Sequence, residues 1–514
     1  MTFSRNQLVA LLTICGIWSG CGESSKRSTP PAGDALPNPT FSLGDWCQGK
    51  LKTEEQLTLD ALISSVGATD CTEFEYRYAN MSTKKISIAY EDLSDPAPLL
   101  ALSDLEILSI RGNKFTNISW TKSFPALIAL EASDNPLAQE SSTIGMDTIG
   151  PIISELALDR TGIKEIVFQA EPAMRSLALV GNGIEDLSFL TNETSLVSLH
   201  LDQNSINDLT ALTQLEKLQN LSLASNPIAA LTPLANLSSL KELNLGNVML
   251  DITLSSAILP VNLEKLTLSI LSSGTMGTKK IDVAGVASLR KLRVLDGSGR
   301  IVSGDMEKDS DLTELIFEHA VISDFDVLRK FSNLQVLNVN NSGLLALPDF
   351  SKSVKLTTLQ ADGNPLSLID GRRLPQSLRF LTLSKCSIKN IKGHTQLTNL
   401  TELSLKANKI AALGDFTWPV NLRSLDLSEN AVSRLPDLSA LNGLTSLNLA
   451  RNQIRNVSAL AALTSLEQLN LSHNQLELVA PLAPLTKLTL LDARSNGLPG
   501  TTVCPLLNAN ACLF

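Results

Sequence analysis

The residues with chemistry to offer are mostly carboxylates. Glu314 and Glu318 straddle Phe317 beside His319, and a pair of acids is the minimal equipment for glycoside hydrolysis. Such a pair works only across a substrate-sized cleft, and no second, cleft-forming domain is evident around it. The chain has no Gly-rich phosphate loop, zincin motif or G-x-S-x-G, and only four His in 514 residues, so no catalytic residue, metal site or cofactor is assigned. Acids outnumber bases 52 to 42, giving net charge −10, and aromatics make up 4%. A nucleic-acid binder needs clustered Lys and Arg with stacking rings, so that class is set aside.

The carboxylates sit in a repeated frame. Leu105-x-x-Leu108-x-Ile110-x-x-Asn113-x-Phe115 aligns with Leu218-x-x-Leu221-x-Leu223-x-x-Asn226-x-Ile228 and with Leu444-x-x-Leu447-x-Leu449-x-x-Asn452-x-Ile454. The Asn column runs through 113, 135, 161, 182, 204 and 226, irregularly through 248, 271 and 300, and then every 22 residues from 320 to 496. Thr161, Val248, Leu271, Arg300, Ala320 and Ser342 depart from Asn, which makes their turns less regular, and Cys386 reads as a small buried ladder residue. Leu-x-Leu puts alternate side chains on one face of a short strand, and the Asn amide satisfies backbone groups at the following turn. The pattern matches the leucine-rich repeat, and its 22-residue period is similar to internalin-like arrays. The resemblance implies an α/β repeat solenoid, a curved array with a parallel inner sheet and short 3₁₀-like turns outside. About nineteen repeats fill residues 85–498. The longer steps after Asn135 and Leu271 are insertions, and residues 272–291 are expected to protrude as a loop.

The ends carry an address and two staples. One basic residue, Arg5, precedes the apolar run from Leu8 to Trp18 and then Ser19-Gly20-Cys21, a signal-peptide pattern too short to span a bilayer. Ser19-Gly20-Cys21 resembles the lipobox of bacterial lipoproteins. That resemblance implies cleavage after residue 20, lipidation of Cys21, and, with Gly22 rather than Asp next, the outer membrane rather than the inner. Residues 21–42 form a lipid-anchored flexible tether, 43–84 an N-terminal cap and 499–514 a C-terminal cap. In the first cap a helix is expected over roughly Thr53 to Val66, with Leu57, Leu59, Leu62 and Ile63 on its apolar side. In an exported chain the cysteines resolve as Cys47 with Cys71 and Cys504 with Cys512, one disulfide in each cap.

Residues six, four and two places before the Asn column face the concave wall. Twelve acids stand there against four bases, Arg111, Lys265, Lys406 and Arg494. The acids include Glu155, Asp159, Asp202, Glu242, Asp296, Glu314, Glu318 and Asp362, the candidate binding residues. Either they meet a basic partner or they are a solvated face that keeps a long protein soluble. Phe380 and His200 are the main rings on this wall, whereas Trp120 and Trp418 fall in return segments and fill core. The reading is a non-catalytic recognition module at the cell envelope, lipid-anchored to the membrane. Its partner is a protein or cell-surface ligand of basic character, in adhesion, and not nucleic acid. The alternative is an envelope scaffold using a rim or the 272–291 insertion, and an envelope hydrolase ranks last.

Overall fold

The computed structural model describes residues 43–514 apart from 140, 170–172, 249, 251, 271–279, 284, 303–310, 323–324, 393–396, 414–417 and 507–510. The signal segment, Cys21, the tether and residues 272–279 of the expected insertion therefore lie outside the described residues. The chain forms two compact units, ending and beginning at Leu240 and Lys241.

In the first unit, helices Leu43–Gln48, Thr53–Ser65 and Cys71–Ala79 precede the repeats, and the Cys47–Cys71 disulfide ties the first helix to the third. Leu59 and Leu62 are buried as expected of the middle helix, but Leu57 is 47% exposed. The inward position beside Leu59 is taken by Thr58, whose hydroxyl donates to the Asp95 carbonyl at 2.7 Å, so a satisfied polar residue covers the repeats there. Among the described residues nine three-residue strands follow, from Lys85–Ser87 to Asn220–Ser222; seven form one parallel ladder, and Thr143–Gly145 and Glu165–Val167 form a separate parallel pair. The central residues of the seven, Ile86, Leu108, Leu130, Leu156, Leu177, Leu199 and Leu221, are paired in register, and each is at most 3% exposed. One stacked row of branched side chains thus forms the core behind the sheet. Return segments contain 3₁₀ turns such as Thr210–Gln214, and Trp120 is buried among Phe115 and Phe124.

The second unit continues the pattern and closes it with Cys512–Leu513, which pairs beside Leu490–Asp492 and is held by the Cys504–Cys512 disulfide. The two disulfides and the parallel ladders make the fold a leucine-rich-repeat solenoid with stapled ends. Trp418 is buried in this unit.

The Asn column holds the turns together. Asn204 Nδ2 donates to the carbonyls of Leu179 and Leu201, both at 2.9 Å, while its Oδ1 accepts the N–H groups of Asn182 and Ile184 at 2.9 and 3.0 Å. Four backbone groups that would be orphaned in a buried turn are satisfied by one amide. The substitutes do part of the same work. Ser342 Oγ donates to Phe317 O at 2.6 Å, Thr161 Oγ1 to Leu158 O at 2.8 Å and Cys386 Sγ to Ala361 O at 3.2 Å. Burial also pushes the Cys386 thiol up to about 11, which keeps it protonated.

Where the column offers neither amide nor hydroxyl, the chain runs on. Val248, position 300 and Ala320 lie in strands Glu242–Val248, Val294–Val302 and Ala320–Ile322. A second parallel ladder forms there from Ile252–Thr253, Lys280–Asp282, the end of Val294–Val302 and Ala320–Ile322. Lys280–Asp282 belongs to that ladder and Val286–Ser288 is a 3₁₀ turn after it. The expectation that they protrude is therefore corrected, and Ile281, Val283, Val286 and Leu289 are all buried. Those four apolar residues have core to cover, which a free loop would not.

Candidate binding face

Each strand buries its middle residue and turns its two neighbours outward. In Glu314–Ile316 the flanking residues are half-buried and Leu315 is fully buried, and Glu318 follows on the same outward side. The eight acids named from sequence all stand on this face, but they do not stand in equivalent surroundings.

Four belong to the first unit or to regular ladder. Asp159 accepts the Val180 N–H at 2.9 Å, and burial lifts its carboxyl above the usual range. Asp202 accepts the Ser222 hydroxyl at 2.5 Å and the Ala224 N–H at 2.7 Å. Asp362 accepts the Ser384 N–H at 2.5 Å. These three tie one repeat to the next, so much of their charge is spent on the fold. Glu155 is exposed at the start of its strand.

The first unit also compensates its buried acid. Arg111 Nη1 lies 3.1 Å from Glu131 and its Nε 2.9 Å from Asp134, while Arg160 reaches Asp134 at 2.5 and 2.8 Å. Burial raises the Glu131 carboxyl, with Arg111 opposing the rise. Burial works against Asp134 too, yet the Arg160 hydrogen bonds and both arginine charges hold it below the usual carboxylate range. Asp134 and Arg160 were not among the sequence candidates. They occupy the residue just before the Asn column, which is left-handed in most repeats (φ 59° and 52° here), and that conformation carries their side chains into this network. The signal was present in the glycines at the same place, Gly112, Gly181 and Gly363.

The remaining four, Glu242, Asp296, Glu314 and Glu318, gather in the second unit. Glu242, Lys265, Val294 and Glu314 succeed one another along one row of paired strands, and Thr267, Asp296 and Ile316 along the next. Lys265 stands within the group, 3.9 Å from Glu242. Glu318 lies 3.9 Å from His319 Nδ1, a contact that is ionic only when the imidazole is protonated. Burial pushes Asp296 up to about 6; Lys265 opposes the rise, and Glu318 and Glu314 add to it. Four carboxylates thus stand on consecutive paired strands here, with Asp296 held up by burial and by its two acidic neighbours.

A shallow cavity of about 580 Å³ lies instead on return segments, lined by Val354, Arg372, Leu374, Gln376 and Leu397 among others. Its polar groups are engaged internally: Ser377 donates to Leu356 O at 2.7 Å and Asn399 to Gln376 O at 3.1 Å. Among the described residues no group of three or more His, Cys, Asp or Glu could hold a metal ion.

The leucine rich repeat family model matches residues 398–454 and 420–476. The U2 small nuclear ribonucleoprotein A′ of Saccharomyces cerevisiae is 31% identical over 85 residues, 16% of this chain, and the match spans 36% of that protein's length. An internalin of Listeria monocytogenes is similar in structure at 20% identity and TM-score 0.35, over 85% of this chain and 94% of that one. A leucine-rich-repeat protein of Leptospira interrogans gives 21% identity and TM-score 0.44, over 83% and 94%.

Proposed function

We propose that this leucine-rich-repeat protein is a non-catalytic recognition module of the bacterial cell envelope, binding a basic protein or surface ligand through the outward sheet face of its second unit. The observation that carries the reading is the gathering of Glu242, Asp296, Glu314 and Glu318 on consecutive paired strands, with Lys265 among them. A half-buried carboxylate crowded by two others is relieved when a partner supplies Lys or Arg, so binding energy is stored in the free face. Adhesion is the role this suits, with Cys21 as the lipid anchor and the outer membrane as the site.

The test uses the full chain as bait in envelope and target-cell extracts at low and moderate salt. The captured partner is then titrated against a variant carrying Glu242→Gln, Glu314→Gln, Glu318→Gln and Glu402→Gln. Affinity should fall at least about tenfold in the variant and with added salt. Affinity unchanged by both would move the site off this face. Anchoring is tested separately: Cys21→Ser should abolish palmitate labelling and release the protein from membranes, and labelling that persists would refute it.

A further inference from the structure

The same face carries an apolar strip with acids at both ends. In consecutive paired strands the first outward row reads Glu314, Val336, Thr358, Phe380, Glu402. Beside it the second row reads Ile316, Asn338, Gln360, Thr382, Ser404. Phe380 is 36% exposed on a solvated sheet, with the Arg379 guanidinium 5.9 Å from its ring centroid. Towards Glu314, two and three strands from Phe380, Val336 and Ile316 are half-buried, and Glu402 on the next strand is exposed. The base on the third row near Glu402, Lys406, is ion-paired with Glu429 at 3.3 Å, so it does not neutralise that end.

Spacing selects the occupant. Adjacent strands lie about 4.8 Å apart, so Glu314 and Glu402 are separated by about 19 Å, with Phe380 about 14 Å from Glu314. An extended peptide crossing the strands places same-side residues about 6.7 Å apart, so three steps cover about 20 Å. Its first and fourth same-side residues reach the two glutamates, the second meets Val336 and Thr358, and the third meets Phe380.

Resting on the recognition reading above, we propose that this strip binds an extended protein segment of the pattern basic-x-apolar-x-apolar-x-basic, anchored on Phe380. Aromatic anchors at the centre of a polar rim dominate interface energetics, and the bracketing charges set register.

The test measures fluorescence anisotropy of two labelled nonapeptides on the full chain at low salt. SKSLSLSKS carries the pattern, and SKLSLSSKS has the same composition with both leucines out of phase. The in-phase peptide should bind at least about tenfold tighter, and Phe380→Ser should erase the difference. Glu402→Gln serves as a second variant that leaves the apolar strip intact and should weaken the in-phase peptide. Equal binding of the two peptides, no measurable binding of either, or a preference that survives Phe380→Ser would overturn the strip. These results leave the broader reading to its own criterion: equal binding that is still lost in the four-glutamate variant retains the acidic face without the strip, whereas a partner indifferent to charge removes the face itself.

Discussion

Two stretches of the second unit answer the same problem differently. From Asn364 to Asn496 every repeat has a three-residue strand, and the column residue, Asn or Cys386, satisfies the turn. From Glu242 to Ile322 the column loses its amides. The strands there lengthen to seven, six and nine residues, and a second parallel ladder takes up the backbone. Two-stranded second ladders also form beside regular columns, Thr143–Gly145 with Glu165–Val167 and Leu368–Asp370 with Asn390–Lys392, so what accompanies the missing amides is the lengthening of the strands and a longer, four-strand second ladder. The outward acids follow suit. In the regular stretch Asp426 accepts the N–H and hydroxyl of Ser428 and Asp492 is paired with Arg494, whereas around Asp296 carboxylates crowd one another.

The largest effect is expected from breaking the regular stretch. Asn452→Leu removes donors to Leu427 O and Leu449 O, both within 3.0 Å, and the acceptor for the Val432 N–H. It should cost about 3 kcal/mol and raise hydrogen exchange locally across neighbouring repeats, since each repeat leans only on its neighbours. Exchange unchanged there would show that the ladder is ornamental.

The converse change should not help. Val248 is fully buried in an extended strand, so Val248→Asn should destabilise by about 2 kcal/mol in denaturant melts rather than restore a turn. A stabilised variant would mean the missing amide is a simple defect.

Asp296 sharpens the contrast through pH. Its folded pKa is raised from 3.8 to about 6, so the folded state prefers the protonated form. The penalty for ionising it is absent below pH 4, grows between 4 and 6 and is complete above 6. Asp296→Asn should therefore stabilise by about 2 kcal/mol at pH 7 and by nothing at pH 4. Equal effects at both pH values would contradict a carboxyl raised by burial and its acidic neighbours.

Smaller effects test single columns. Cys386→Ser should cost less than about 1 kcal/mol, because Ser342 already makes the equivalent bond, and the native thiol should resist alkylation. Ala407, at φ 55°, is a left-handed residue that glycine adopts without strain, so Ala407→Gly should stabilise by about 0.5 kcal/mol in the same melts.

Much of this was legible in the residues. The Leu-x-Leu alternation and the Asn column give the strands, their inward face and the turns, and pairing cysteines by region gives both disulfides. What was not legible depends on neighbouring copies. The sequence counts Asp202, Asp362 and Asp296 alike as wall acids, and only the register between repeats separates carboxylates that tie strands together from one that is crowded. The departures Val248 and Ala320 mark where the pattern weakens, but the second ladder that replaces the turns is made by pairing between repeats. Thr58 in place of Leu57 shows the same limit in the cap, where a partner carbonyl 37 residues away makes a polar residue suitable for burial.

The most direct test of the account compares two variants of the full chain by calorimetric titration with the captured partner and by thermal melting. One carries Glu242→Gln, Glu314→Gln, Glu318→Gln and Glu402→Gln; the other carries Asp362→Ala and Asp426→Ala. The first should lose at least about tenfold in affinity while keeping its Tm, and the second should lose Tm while keeping affinity. Unchanged affinity in the first, or equal loss of affinity in both, would contradict the division of the acidic face into binding and structural parts.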